Sequence, residues 1–211
     1  MNANTQRLLV DGPSGQIECA VDLPATPPTG TPGTAVICHP HPQHGGTMDN
    51  KVVQTVARAV LQLGWRSVRF NFRGVGASQG DWDDGVGEIE DAMAVIAAQR
   101  DSATPLLLAG FSFGGYVASQ AAQRLPDDAK AAQLVLVGPS TEKQSMPTVP
   151  PHTIVVHGET DDVVPLAATL AWARPQSLPV IVLPGVGHFF HGQLALLKSV
   201  IVRELLGRAA L

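Results

Sequence analysis

Along the chain, short runs of consecutive apolar residues alternate with longer stretches in which apolar residues recur every three or four positions. The runs are Thr34–Cys38 (TAVIC), Ser67–Phe72 (SVRFNF), Pro105–Phe111 (PLLLAGF), Gln133–Val137 (QLVLV), Thr153–Val156 (TIVV) and Pro179–Leu183 (PVIVL). A strand with one wet face alternates apolar with polar. An unbroken run predicts a strand covered on both faces, as in a parallel sheet between helices. The stretches between the runs predict helices over Asn50–Leu63, Val86–Gln99, Gly114–Arg124, Pro165–Ala173 and Gln193–Gly207. In the first, Val52, Val53, Val56, Val60 and Leu63 share one face, and Asp49 or Asn50 is placed to cap the N-terminus.

The segment before these runs has a different pattern. Arg7–Val10, a DGPSG turn and Ile17–Leu23 predict two strands of an antiparallel hairpin. Pro24–Gly33 (PATPPTGTPG) reads as a surface loop, because a strand begins immediately after it. An antiparallel start followed by strand–helix alternation predicts a single α/β domain over residues 1–211, with a mostly parallel, doubly wound sheet.

Composition supports a globular chain: 45% of the 211 residues are hydrophobic and 15% charged, too little charge for disorder. A net charge of −4 without any Lys/Arg run argues against a nucleic-acid partner. No apolar run reaches the roughly 18 residues a bilayer span needs, so no membrane partner is expected. The N-terminus lacks a basic segment followed by an apolar one. Cys19 and Cys38 both lie in apolar strand-like runs and read as buried free thiols. A cytoplasmic location is therefore the expectation.

In a doubly wound sheet, chemistry sits on the loops at the carboxyl ends of the strands. The Pro105–Phe111 run leads into Gly110-Phe111-Ser112-Phe113-Gly114-Gly115, a G-x-S-x-G between strand and helix. That context suits a nucleophile elbow: a sharp turn lifts Ser112 above the sheet, small neighbours avoid clashes, and the Phe113 amide lies at the helix N-terminus. Thr153–Val156 leads into HGETDDVVP, which offers Glu159, Asp161 and Asp162 as carboxylates; Asp162 also reads as a cap for the helix begun near Pro165. Pro179–Leu183 leads into PGVGHFFHG, which places His188 on a Gly-rich loop before the last helix. His191 is the weaker candidate, since it reads as the start of that helix.

Taken together, the chain resembles an α/β-hydrolase from about Ile17 to its last helix. HGETDDVVP is similar to that superfamily's acid loop, which selects Asp161, and GVGHFF is similar to its histidine loop, which selects His188. CHPHPQHGGTMDNKVV and FNFRGVGASQG resemble a subgroup of small, lidless serine hydrolases described as esterases. The resemblance implies acyl transfer from a carboxylic ester or thioester, with Ser112 as nucleophile, His188 as general base and acid, and Asp161 orienting it. A small-molecule ester is the expected partner, and neither a cofactor nor a metal is called for. The connection GPSTEKQSMPTVPPH lacks helical periodicity, so no cap or lid domain is expected and the site should be open.

In this superfamily the loop after the first parallel strand supplies half of the oxyanion hole, here within Cys38–Gly46 (CHPHPQHGG). A proline has no N–H, so Pro40 and Pro42 leave the His41 amide as the donor, to act with that of Phe113. His39 and His44 are assigned to packing or hydrogen bonding within the loop, and Trp82 and His44 are candidates for lining the substrate. Arg73 could meet an anionic substrate group, but reads better as a tie to backbone carbonyls. Two alternatives stand beside the esterase. One is a catalytically idle scaffold used for binding. The other is a metallohydrolase, because HPHPQH matches the HxHxDH loop of metallo-β-lactamase-type enzymes except at Gln43.

Overall fold

The computed structural model describes residues 5–25 and 33–209. Among these residues, eight strands form one sheet: β1 (Gln6–Gly12), β2 (Gly15–Asp22), β3 (Thr34–Cys38), β4 (Arg66–Phe70), β5 (Leu106–Phe111), β6 (Gln133–Val137), β7 (Ile154–Gly158) and β8 (Ile181–Leu183). Their spatial order is β1-β2-β4-β3-β5-β6-β7-β8. β1 pairs antiparallel with β2 and β2 with β4; every later pairing is parallel. The helices are α1 (Lys51–Gln62), α2 (Val86–Gln99), α3 (Phe113–Arg124), α4 (Leu166–Ala173) and α5 (Leu194–Ala209). This is the architecture of the α/β-hydrolase fold.

The unbroken apolar runs have the cause expected of them. Along β3, Ala35 and Ile37 pack under α1 and α5, while Val36 and Cys38 face the side of α2 and α3. β5 divides in the same way, with Leu106 and Leu108 on one side and Leu107, Ala109 and Phe111 on the other. Successive side chains of a strand point to opposite faces, so a sheet with two dry faces needs apolar residues at both parities. Each fully buried Leu, Ile or Val contributes about 1.5–3 kcal/mol. Asn50 is the cap of α1, its side chain accepting from the amides of Val52 (2.8 Å) and Val53 (3.5 Å). Cys19 and Cys38 are both buried and free.

Several boundaries move, each for a local reason. β4 is assigned to end at Phe70: the Asn71 amide still bonds the Glu18 carbonyl of β2, but the Phe72 amide turns away and donates to the His39 ring. α4 begins at Leu166 rather than Pro165, and β8 begins only at Ile181. α5 begins at Leu194, so His191 belongs to the preceding turn and does not start the helix. Most of the Pro24–Gly33 loop, residues 26–32, lies outside the described residues. Residues 138–153, between β6 and β7, contain turns but no helix, so among the described residues no cap covers the strand ends. Among the described residues, no helix is long and apolar enough to cross a membrane.

The topology fixes where chemistry can occur. From β3 the chain crosses to β4 on one side, then returns to β5 on the other. The loops leaving β3 and β5 therefore diverge from adjacent strand ends, with Cys38 opposite Gly110. Such a switch point opens a crevice.

Candidate active site

Ser112 alone joins β5 to α3. Its backbone sits at φ 56°, ψ −120°, a conformation that side chains other than glycine rarely adopt. Three bonds hold it there: its amide donates to the Val137 carbonyl (2.9 Å), and its carbonyl accepts from the amides of Gly115 (2.9 Å) and Ser140 (3.2 Å). Two neighbouring glycines are demanded by space. A Cβ on Gly110 would collide with the Gly114 carbonyl, and one on Gly114 with the carbonyls of Cys38 and His39. Gly115 is less constrained, since its Cβ would meet Pro139 at 3.2 Å. The close approach at Gly114 seats the elbow directly against the loop leaving β3.

On the other side of Ser112, Gly138 turns the chain out of β6 at φ 47°. A Cβ there would lie 3.5 Å from both Asp161 Oδ2 and His188 Nδ1. These two atoms are 2.7 Å apart, and both side chains are almost fully buried. Asp161 comes from the loop after β7 and His188 from the loop after β8, which are fastened together: Glu159 N donates to the Leu183 carbonyl and Thr160 N to the Val186 carbonyl, both at 3.0 Å. Gly158 permits this, because any Cβ there would collide with the Val186 carbonyl. The His188 ring packs on Phe111, the residue before Ser112, with centroids 4.9 Å apart.

Asp161 also shapes its own turn, Oδ1 accepting from the amides of Val163 (3.0 Å) and Val164 (2.7 Å). Burial opposes its ionisation, but the bond from His188 and these two amides outweigh it, and the carboxyl is held below the usual carboxylate range. With Asp161 ionised, His188 Nδ1 is the donor and its Nε2 is left to act as a base. Asp162 does not cap α4. It is exposed, Pro165 occupies the cap position, and the capping-type turn belongs to Asp161.

The loop leaving β3 puts its three histidines to different uses. His39 turns inward and is fully buried; its Nδ1 donates to the Pro40 carbonyl (2.6 Å) and its Nε2 accepts from the Phe72 amide (3.0 Å). Burial pushes its pKa down to about 4, so the ring is neutral. His41 stacks on His44 (centroids 4.4 Å) and packs against Trp82 (4.5 Å) and Phe113 (5.1 Å). Burial lowers the His41 pKa, and the proximity of His44 and Lys143 lowers it further. Among the described residues, the amides of His41 and Phe113 donate to no acceptor, so both remain available to a ligand. The three imidazoles do not converge, and no group of three His, Cys, Asp or Glu side chains among the described residues could hold a metal ion.

Arg73 is a structural tie, although to a carboxylate rather than to backbone carbonyls. Its Nε and Nη2 grip the two oxygens of buried Asp91 at 3.0 and 2.8 Å, and its amide donates to the same residue. This anchors the Gly-rich turn after β4 onto α2. Trp82, farther along that turn, reaches the His41 ring, and its Nε1 donates to Asp84 (3.0 Å). One feature of the site had no role assigned from sequence: His157, fully buried at the end of β7, lies 3.4 Å from Asp161 Oδ2. The signal was a histidine ending an otherwise apolar run, four residues before the acid.

Four likenesses to known proteins bear on this arrangement. A family model described as serine aminopeptidase, S33, matches residues 35–169. The chain is 42% identical to an α/β serine hydrolase homologue from Coxiella burnetii, over 95% of this chain and 97% of that one, with a TM-score of 0.83. It is 36% identical to a member of the α/β serine hydrolases without lid from Xanthomonas campestris, over 97% and 95% of the two chains, with a TM-score of 0.87. An uncharacterized protein of Rickettsia prowazekii is 40% identical over 124 residues, 57% of this chain; the alignment spans about half (51%) of that curated relative.

Proposed function

The chain belongs to the α/β-hydrolase superfamily of serine hydrolases, and we propose that within it the protein is a carboxylesterase working through an acyl-enzyme on Ser112. The observation that carries this reading is the 2.7 Å bond between His188 and ionised Asp161, with the His188 ring packed on Phe111, the residue before a serine held at φ 56°. Ser112 Oγ attacks the ester carbonyl while His188 Nε2 takes its proton. Asp161 keeps the other ring proton on Nδ1 and stabilises the imidazolium. The amides of His41 and Phe113 hold the oxyanion. His188 then returns the proton to the leaving alcohol, and water repeats the sequence to release the acid.

The uncapped strand ends support esters with varied or large acyl and alcohol groups, including thioesters, over a substrate that must be enclosed. No step requires a cofactor. The test uses short p-nitrophenyl esters, a fluorophosphonate probe and EDTA on the purified protein. Hydrolysis and labelling, both lost in Ser112→Ala and both indifferent to EDTA, are expected. Inhibition by EDTA without labelling would replace this reading with a metallohydrolase. Neither activity nor labelling would leave an idle scaffold. An aminoacyl p-nitroanilide cleaved faster than any ester would move the substrate class to peptides.

A further inference from the structure

β7 is apolar until its end, where His157 and Gly158 follow Val156 with no exposure between them to solvent. His157 Nε2 lies 2.9 Å from the Val164 carbonyl and 3.4 Å from Asp161 Oδ2. Both neighbours are acceptors, so Nε2 carries the hydrogen. Nδ1 is buried and has no hydrogen-bond partner among the described residues. A second ring proton would have nowhere to go, and burial holds the pKa of His157 low. The ring is therefore a neutral donor and cannot compete with His188 as a base.

The contacts close a circuit. Val164 N donates to Asp161 Oδ1, the Val164 carbonyl accepts from His157, and the same His157 N–H faces Asp161 Oδ2. Oδ2 is also the oxygen that accepts from His188. A valine or leucine at position 157 would continue the apolar run without leaving an unpartnered buried nitrogen, which is destabilising. The packing of β7 therefore gives no reason for an imidazole there, whereas the geometry of the carboxylate does.

We propose that His157 is a positioning residue for the Asp161–His188 pair: its Nε2–H, anchored on the Val164 carbonyl, fixes the carboxylate plane and draws charge from Oδ2. The inference rests on the esterase reading. The titratable groups acting on His157 are Asp161 from its own loop and His188 from the loop after β8.

Three variants test it. His157→Gln can keep an N–H near the Nε2 position; His157→Phe fills the space without a donor; His157→Asn stays polar but falls short of Oδ2. The Phe and Asn variants are expected to lose between about 10- and 100-fold in kcat through misplacement of the pair, with KM unchanged. Their acidic limb of kcat/KM should move to higher pH, because Oδ2 then bears more charge and favours the protonated pair. Gln should restore both. A low-field NMR resonance from the His188 Nδ1 proton is expected in the wild type and Gln variant and displaced in Phe and Asn. Folded Phe or Asn variants with wild-type kcat, limb and resonance would overturn the proposal, as would a limb moved to lower pH or a Gln variant that restores nothing. A wild type with the resonance but neither ester hydrolysis nor probe labelling would sink the esterase reading alone, and the resonance in the variants would still decide the role of His157.

Discussion

Two regions of this molecule are rich in histidine and use it in opposite ways. In the loop after β3, His39 binds two backbone groups and His41 and His44 stack on each other; the group left free for chemistry is a main-chain amide. At the ends of β7 and β8, the imidazole nitrogens of His157 and His188 themselves face a carboxylate. In the proposed mechanism the first region orients a ligand through its backbone, and the second moves a proton. The difference lies in where each ring nitrogen finds its partner, and a count of histidines in a motif does not contain that information.

The sharpest way to break the comparison is to remove one side chain from each region. His188→Ala should lower kcat on the order of 10⁴- to 10⁶-fold, as should Ser112→Ala, measured on a short p-nitrophenyl ester. If His41→Ala cost as much, the loop's imidazole would be part of the chemistry and the contrast would fail. The expected loss for His41→Ala is less than tenfold. His41→Pro should cost about 10²- to 10³-fold, the usual effect of losing one oxyanion donor. That substitution is clean, because φ at this position is already −52° and the amide has no intramolecular acceptor to lose.

Stability separates His39 from its loop neighbours. Its pKa is about 4 in the folded protein, against an ordinary value of 6.5. Between these values the unfolded chain takes up the proton first. The stability from neutral His39 is thus complete above about pH 6.5, is lost as pH falls to about 4, and amounts to about 3 kcal/mol across that window. Urea unfolding at pH 7.5 and 4.5 should show the loss, and His39→Gln should reduce the difference by most of that amount. An unaltered difference would mean that His39 is not the group responsible. The smallest effect is expected at His44, which is exposed: His44→Ala should change kcat/KM by less than about threefold, in keeping with a surface substitution.

Much of this arrangement was legible in the chain. G-x-S-x-G between an apolar run and a helical stretch located the elbow, and α2 begins and ends where periodicity places it, at Val86 and Gln99. A cap at Asp49 or Asn50 was readable, because either short side chain can reach the first free amides of the helix, and the structure chooses Asn50. The partner of Arg73 was not readable. Asp91 lies 18 residues away on α2, and no local pattern distinguishes a carboxylate from a carbonyl as the acceptor. Asp162 illustrates the same limit: it stands beside Asp161 in sequence, yet the turn after β7 points only Asp161 at His188.

The sequence by itself determined the element types, the two-faced burial of the sheet and the residue types available at each strand end, because periodicity, caps and turn glycines act over a few residues. Which atoms meet was decided only by the tertiary structure. β3 and β5 become neighbours through a crossover, and the loops after β7 and β8 join through backbone bonds that no side-chain pattern encodes. His157 is the clearest case. In the chain it is a histidine ending an apolar run, and only the turn at Asp161 brings its nitrogen to face the carboxylate.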